Sequence, residues 1–81
     1  TIVNTGAVIE HDCRIGEFVH ISPNAVLAGG VEIGNLAWIG ACASVRQLIS
    51  VGECAVVGMG ASVIKDVAPC DTVVGSPARS L

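Results

Sequence analysis

The amino-acid sequence predicts an all-β fold, a parallel β-helix wound as a triangular prism of about four coils, and three observations predict it. An aliphatic residue stands at every sixth position eleven times in succession: Val3, Ile9, Ile15, Ile21, Leu27, Ile33, Ile39, Val45, Val51, Val57 and Val63. Four residues after each comes a second, smaller row: Ala7, Cys13, Val19, Ala25, Val31, Ala37, Ala43, Ile49, Ala55, Ala61 and Val67. A superperiod of 18 is also present, in Ile15-Gly16-Glu17, Ile33-Gly34-Asn35 and Val51-Gly52-Glu53. Neither the helical period nor plain alternation produces a six-residue repeat.

Each hexad, read from its first aliphatic residue, supplies a short strand and then a corner at its third and fourth positions. The fourth positions are Gly6, Asp12, Phe18, Asn24, Gly30, Leu36, Cys42, Leu48, Cys54, Gly60 and Asp66. Six of these eleven are Gly, Asn or Asp, which tolerate a positive φ and so suit a tight corner. Phe, Leu and Cys are less comfortable there, and a different turn is expected at their corners. Three hexads per coil stack residues 18 apart at the parallel-strand spacing of roughly 4.8 Å. The hexads run from Val3 to Ala68, so residues 1–68 are expected to form the prism. Pro69 is expected to break the ladder. Residues 69–81 then form a C-terminal loop and tail, with the apolar run Thr72-Val73-Val74 and the turn Gly75-Ser76-Pro77. The repeat alone leaves handedness open, since parallel crossovers are normally right-handed.

With 81 residues the chain forms one small domain, and a single core of that size is marginal alone. A stacked coil also exposes apolar faces and open ends, so an oligomer is expected. The composition is 52% hydrophobic with one Trp and one Phe, so the core is built from Val, Ile, Leu and Ala. The longest stretch free of acids, Lys and Arg runs from Phe18 to Val31, and Ser22, Pro23 and Asn24 interrupt it. That falls short of a membrane span, and no signal peptide is visible, so a soluble cytoplasmic chain is expected. A net charge of −3 with no basic stripe argues against nucleic acid. Cys13, Cys42, Cys54 and Cys70 lack CxxC spacing, and Cys13 lies in the inward row, so buried free thiols are expected rather than disulfides or zinc. The chain begins inside the repeat without Met. Either a leader has been removed or this is a piece of a longer protein, and both readings stay open.

Most outward residues are small or apolar, which singles out the polar exceptions. His11 and Asp12 occupy the two corner positions of one hexad, and Gly29-Gly30 is the corner one coil later, directly over them. A backbone N–H at a glycine corner beside a histidine suits an oxyanion, because no Cβ blocks an approaching carbonyl. The plainer alternative is that His11 is a surface residue and the glycines only make the turn. His20 lies half a coil from His11. A histidine zinc site needs three converging nitrogens, and two histidines on different levels and faces do not supply them, so no metal is expected. Lys65 shares the His11 column, with Arg46 near it. Lys65, Arg46 and Arg79 read as solvated cations or as phosphate partners.

The stretches GAVIEHDCRIGEFVHISPNAVLAGGVEIG, VVGMGASVIKDV and VVGSPAR resemble the left-handed β-helix domain of sugar acetyltransferases, of the sialic acid O-acetyltransferase and UDP-4-amino-sugar N-acetyltransferase type. The resemblance covers essentially the whole chain. The hexad repeat is shared by many acyltransferases and by γ-class carbonic anhydrases; EHDC, the second histidine nine residues on, and AGG are more specific. It implies a homotrimer with each site between two prisms, acetyl-CoA as co-substrate and a sugar-type acceptor. It further implies His11 as general base, Asp12 as its orienting partner and the Gly29 amide as oxyanion donor. His20, the backbone at Ala41 and Met59, and Arg79 would contact acetyl-CoA. Departures are Leu48 and Cys54 at corners where glycine is common, APCD before the last strand, and the bulky Met59. The N-terminal βαβ domain of such enzymes is absent from these residues. A non-catalytic trimeric scaffold is therefore the alternative. A metalloenzyme of the carbonic anhydrase kind fails on histidine count. Neither the acceptor nor the choice of oxygen or nitrogen follows from the residues.

Overall fold

Six-residue spacing leaves room for only two residues of strand between corners, and the computed structural model, which describes residues 1–81, follows that rule for its first eleven strands. The strands are β1 (Ile2–Val3), β2 (Val8–Ile9), β3 (Arg14–Ile15), β4 (His20–Ile21), β5 (Val26–Leu27), β6 (Glu32–Ile33) and β7 (Trp38–Ile39). Then come β8 (Ser44–Val45), β9 (Ser50–Val51), β10 (Val56–Val57), β11 (Ser62–Val63), β12 (Thr72–Val74) and β13 (Arg79–Ser80). They form three faces: β1, β4, β7, β10 and β12 make the first, β2, β5, β8 and β11 the second, and β3, β6 and β9 the third. Pairing is parallel with a register of 18, as in Val8 against Val26 and Val26 against Ser44. No helix is long and apolar enough to cross a membrane.

Both apolar rows point inward. Ile21, Leu27 and Ile39 have no exposed surface, and each contributes about 1.5–3 kcal/mol by leaving water. Alanine in the second row keeps the corners narrow: Ala25, Ala43 and Ala55 are fully covered. Val3 remains half exposed because no coil lies above it.

The corners differ from expectation in one respect. Phe18, Leu36, Cys42, Leu48 and Cys54 do not adopt another turn; their φ values of 57° to 64° match those of Asp12 and Asn24, both 61°. Left-handed backbone costs a residue with a Cβ roughly 1–2 kcal/mol. Ladder register outweighs that cost. The fourth-position N–H donates to the third-position carbonyl one coil before, as in Leu36 to Glu17 at 2.9 Å and Leu48 to Gly29 at 3.0 Å. Another turn would lose this bond and shift every inward residue downstream.

The last coil is shorter than the repeat. Val51 pairs with Val67, Val56 with Thr72 and Val57 with Val73, a register of 16 instead of 18. Two residues are missing after Lys65. Asp66, expected to be a left-handed corner, has ordinary φ; its carboxylate Oδ1 accepts the Ser50 N–H at 2.9 Å, standing in for a ladder carbonyl. Pro69 does not break the ladder. It lands on a third position, whose N–H makes no backbone bond to the next coil, as does Pro23. Cys70 then takes the left-handed corner at φ 58°, and β12 joins the first face. A turn at Gly75 leads into β13, which pairs antiparallel with β12 and covers its edge. Asp71 fastens this end: Oδ1 accepts the Thr72 N–H at 2.9 Å and Oδ2 the Ser80 hydroxyl at 2.6 Å.

All four thiols are free, but none is buried: Cys13 and Cys54 are half-buried, and Cys42 and Cys70 are exposed. Cys13 does point inward, yet it lies in the uncovered first coil and donates to the Ala28 carbonyl at 3.2 Å.

Candidate functional site

The corner between the second and third faces carries His11-Asp12 on one coil, Gly29-Gly30 on the next and Gln47-Leu48 on the third. The expected stack is present: the Gly30 N–H donates to the His11 carbonyl at 3.0 Å. The His11 imidazole lies against Gly29, where an added Cβ would stand 2.8 Å from Cε1 and 3.0 Å from Nε2. The two glycines are therefore needed for different reasons. Gly30 has φ +71°, a conformation that disfavours side chains, whereas Gly29 is confined by the imidazole alone.

His11 Nδ1 lies 3.3 Å from Asp12 Oδ2, with the two side chains 81% and 87% exposed. Such an open pair adds little stability. Its effect is directional, since a proton held on Nδ1 leaves Nε2 as the free acceptor. The Gly29 carbonyl is occupied by Leu48, while its N–H donates to no group of the chain. A basic nitrogen and an unused amide donor thus flank one open depression, walled by Asp12, Gln47 and Leu48.

His20 is placed elsewhere, on β4 of the first face. Its ring stacks on Trp38 with centroids 4.0 Å apart and planes 3° from parallel. Asn4 Nδ2 donates to His20 Nε2 at 3.0 Å and to the Ile21 carbonyl at 3.2 Å, which assigns the ring proton to Nδ1. Ala41 and Met59 stack on the corner between the first and second faces, joined by the Gly60 N–H to the Ala41 carbonyl at 2.8 Å. The Met59 side chain projects outward there. Arg79, on β13, lines a depression at the C-terminal end with Lys65, Asp66 and Asp71. One chain thus unites His11, Asp12 and Gly29 but not His20, Ala41, Met59 or Arg79. No three His, Cys, Asp or Glu side chains converge as a metal ligand set.

Asn4 and Trp38 were not marked by sequence reasoning. Trp38 stands 18 residues after His20, so the superperiod carried that signal. Asn4 is 16 residues before His20, off the stacked column, and no spacing marked it.

Comparison with known proteins agrees with this fold. The family model described as bacterial transferase hexapeptide (six repeats) matches residues 12–47. The acetyltransferase domain of PglB from Neisseria gonorrhoeae, solved with acetyl coenzyme A, is 44% identical with a TM-score of 0.96, covering 98% of this chain and 38% of that one. A mutant GDP-perosamine N-acetyltransferase from Caulobacter crescentus, solved with CoA and GDP-perosamine, is 38% identical with a TM-score of 0.97, covering 98% and 38%. Acyl-[acyl-carrier-protein]–UDP-N-acetylglucosamine O-acyltransferase from Burkholderia orbicola is 39% identical over 71 residues, 88% of this chain and 27% of the relative. The chain spans about a quarter of the length of the curated relatives it matches. With its hexad rows, its 18-residue register up to β11 and its matching repeats, the chain belongs to the hexapeptide-repeat family, and its prism is the left-handed β-helix of that family.

Proposed function

We propose that the chain is the catalytic β-helix domain of an acetyl-CoA-dependent acetyltransferase acting on an amino or hydroxyl group of a sugar or nucleotide-sugar. One observation carries this reading: the His11 imidazole lies against a glycine whose N–H has no partner. In the proposed reaction Nε2 takes a proton from the acceptor as its nitrogen or oxygen attacks the thioester carbonyl. The oxyanion so formed accepts the Gly29 N–H. Collapse breaks the carbon–sulfur bond, and the departing thiolate takes the proton from His11. Asp12 holds the tautomer that leaves Nε2 basic. General base catalysis of this kind is worth about 10²–10⁴ in rate. No nucleophilic cysteine is needed, and Cys13 points away from the corner toward Ala28.

The remaining assignments follow from a cytoplasmic homotrimer. His20 and His11 lie on different faces, so one copy's first face must approach another copy's His11 corner for both to serve one site. Ile2 and Trp38 on the first face, and Val8 and Val26 on the second, are exposed apolar residues suited to such contact. Across that cleft His20 donates from Nδ1 to acetyl-CoA, the backbone of Ala41 and Met59 lines the pantetheine arm, and Arg79 meets the phosphates. The relatives solved with CoA and acetyl coenzyme A support this choice of donor.

The test is release of CoA thiol from acetyl-CoA with amino- and hydroxy-sugar acceptors, alongside thermal stabilisation by acetyl-CoA. His11→Ala is expected to lose about 10²–10⁴ in rate while keeping the thermal shift. Equal rates in the two proteins contradict the reading. Absence of any thermal shift in a folded trimer favours the non-catalytic scaffold instead.

A further inference from the structure

The corner between the third and first faces carries a pair of thiols that acetyl transfer does not use. Cys54 and Cys70 are the fourth-position residues of the last two coils, and the Cys70 N–H donates to the Glu53 carbonyl at 2.7 Å. Flanking pairs Val51–Val67 and Val56–Thr72 fix the register on both sides. Both cysteines have left-handed backbone, φ 61° and 58°, so their side chains leave the corner in the same direction. Ladder neighbours lie about 4.8 Å apart, inside the range of roughly 4.4–6.8 Å over which disulfides join α-carbons.

We propose that Cys54 and Cys70 are a peroxide-responsive dithiol that closes to an intrachain disulfide across the last two coils. Cys70 is the exposed member and Cys54 the half-buried one, which sets the order of events. The Cys70 sulfur attacks hydrogen peroxide, forming a sulfenic acid as the oxygen–oxygen bond breaks and one water leaves. Cys54 then attacks that sulfur, the sulfur–sulfur bond forms, and the sulfenic oxygen departs as a second water. Two thiols and one peroxide become one disulfide and two waters. The Cys54 thiol is pushed above its ordinary pKa, first by the Cys70 side chain, then by desolvation and the Glu53 charge. It is therefore the less readily ionised of the two and is left to react second, giving up its proton to the departing sulfenic oxygen as its sulfur attacks. The coil it would staple is the one shortened by two residues and completed by the Asp66 carboxylate, so the bridge lands where the ladder is least regular.

Trypsin cleaves after Arg46, Lys65 and Arg79, which separates the two cysteines into peptides 47–65 and 66–79. After peroxide treatment of the full chain, a non-reducing digest is expected to contain these two peptides joined, lighter by two hydrogens. Titratable thiols should fall from four to two, with Cys13 and Cys42 still alkylatable. The melting temperature should rise by about 5 °C or more and return with dithiothreitol. Cys54→Ser and Cys70→Ser should each abolish that rise. Sulfinic acid at Cys70 with Cys54 still free, interchain disulfides, or an unchanged rise in Cys54→Ser would overturn the proposal.

Discussion

At the scale of single residues, the imidazole of His11 and the α-carbon of Gly29 occupy space that leaves no room for a methyl group. Gly29→Ala places a Cβ 2.8 Å from Cε1, and the exposed ring, having no other packing, swings away. Alanine tolerates the backbone there, so the variant is expected to fold with an unchanged melting temperature. Its turnover should fall by up to about 10²-fold, because misplacing a catalytic group by an ångström has that order of effect. Steady-state kinetics beside a thermal melt check this. Gly30→Ala should do the reverse in part: φ +71° and the Leu48 methyl in its way cost about 1–3 kcal/mol of stability, measured by denaturant unfolding. The stack of His11 under Gly29 was legible because both sit in one 18-residue column. Asn4 was not legible, because its side chain reaches His20 diagonally and no repeat governs a side-chain rotamer.

At the scale of coils and corners, two features separate the molecule from its own repeat. Phe18 sits 75% exposed on left-handed backbone, so it carries strain without burial to offset it in the single chain. Phe18→Asn is expected to stabilise the isolated chain by about 0.5–1 kcal/mol, since Asn tolerates that φ; denaturant midpoints test it. Asp66→Ala removes the acceptor of the Ser50 N–H and should cost about 1–3 kcal/mol, with faster hydrogen exchange at the Ser50 amide as the local readout. The short coil escaped sequence reading for a specific reason. Val67 stands four residues after Val63 and six before Val73, so it satisfies the spacing of either row. Only the observed bridge to Val51 shows that it plays the first-row part. Once that is known, Pro69 falls where a missing N–H does no harm.

At the scale of the whole molecule, the prism is finished at one end and open at the other. Asp71, Ser80 and β13 close the C-terminal end, while Ile2 and Val3 at the start remain more than 45% exposed, at 57% and 50%. A trimer of 8.1 kDa chains should give a scattering mass of about 24 kDa, three times the single chain. If each site takes His11 from one copy and His20 from the next, His11→Ala and His20→Ala are each inactive alone. Mixed and refolded together in equal amounts, they should recover about a quarter of wild-type activity, because a quarter of random interfaces pair the two intact residues. No recovery would place both histidines' roles within one chain, and an active His20→Ala would deny His20 a role.

The most direct measurement is a crystal structure of the full chain soaked with acetyl-CoA. The thioester carbonyl oxygen is expected within about 3 Å of the Gly29 N–H, with the carbonyl carbon facing the space beside His11 Nε2. Acetyl-CoA bound with its thioester on another corner, leaving the Gly29 amide to solvent, would contradict the account.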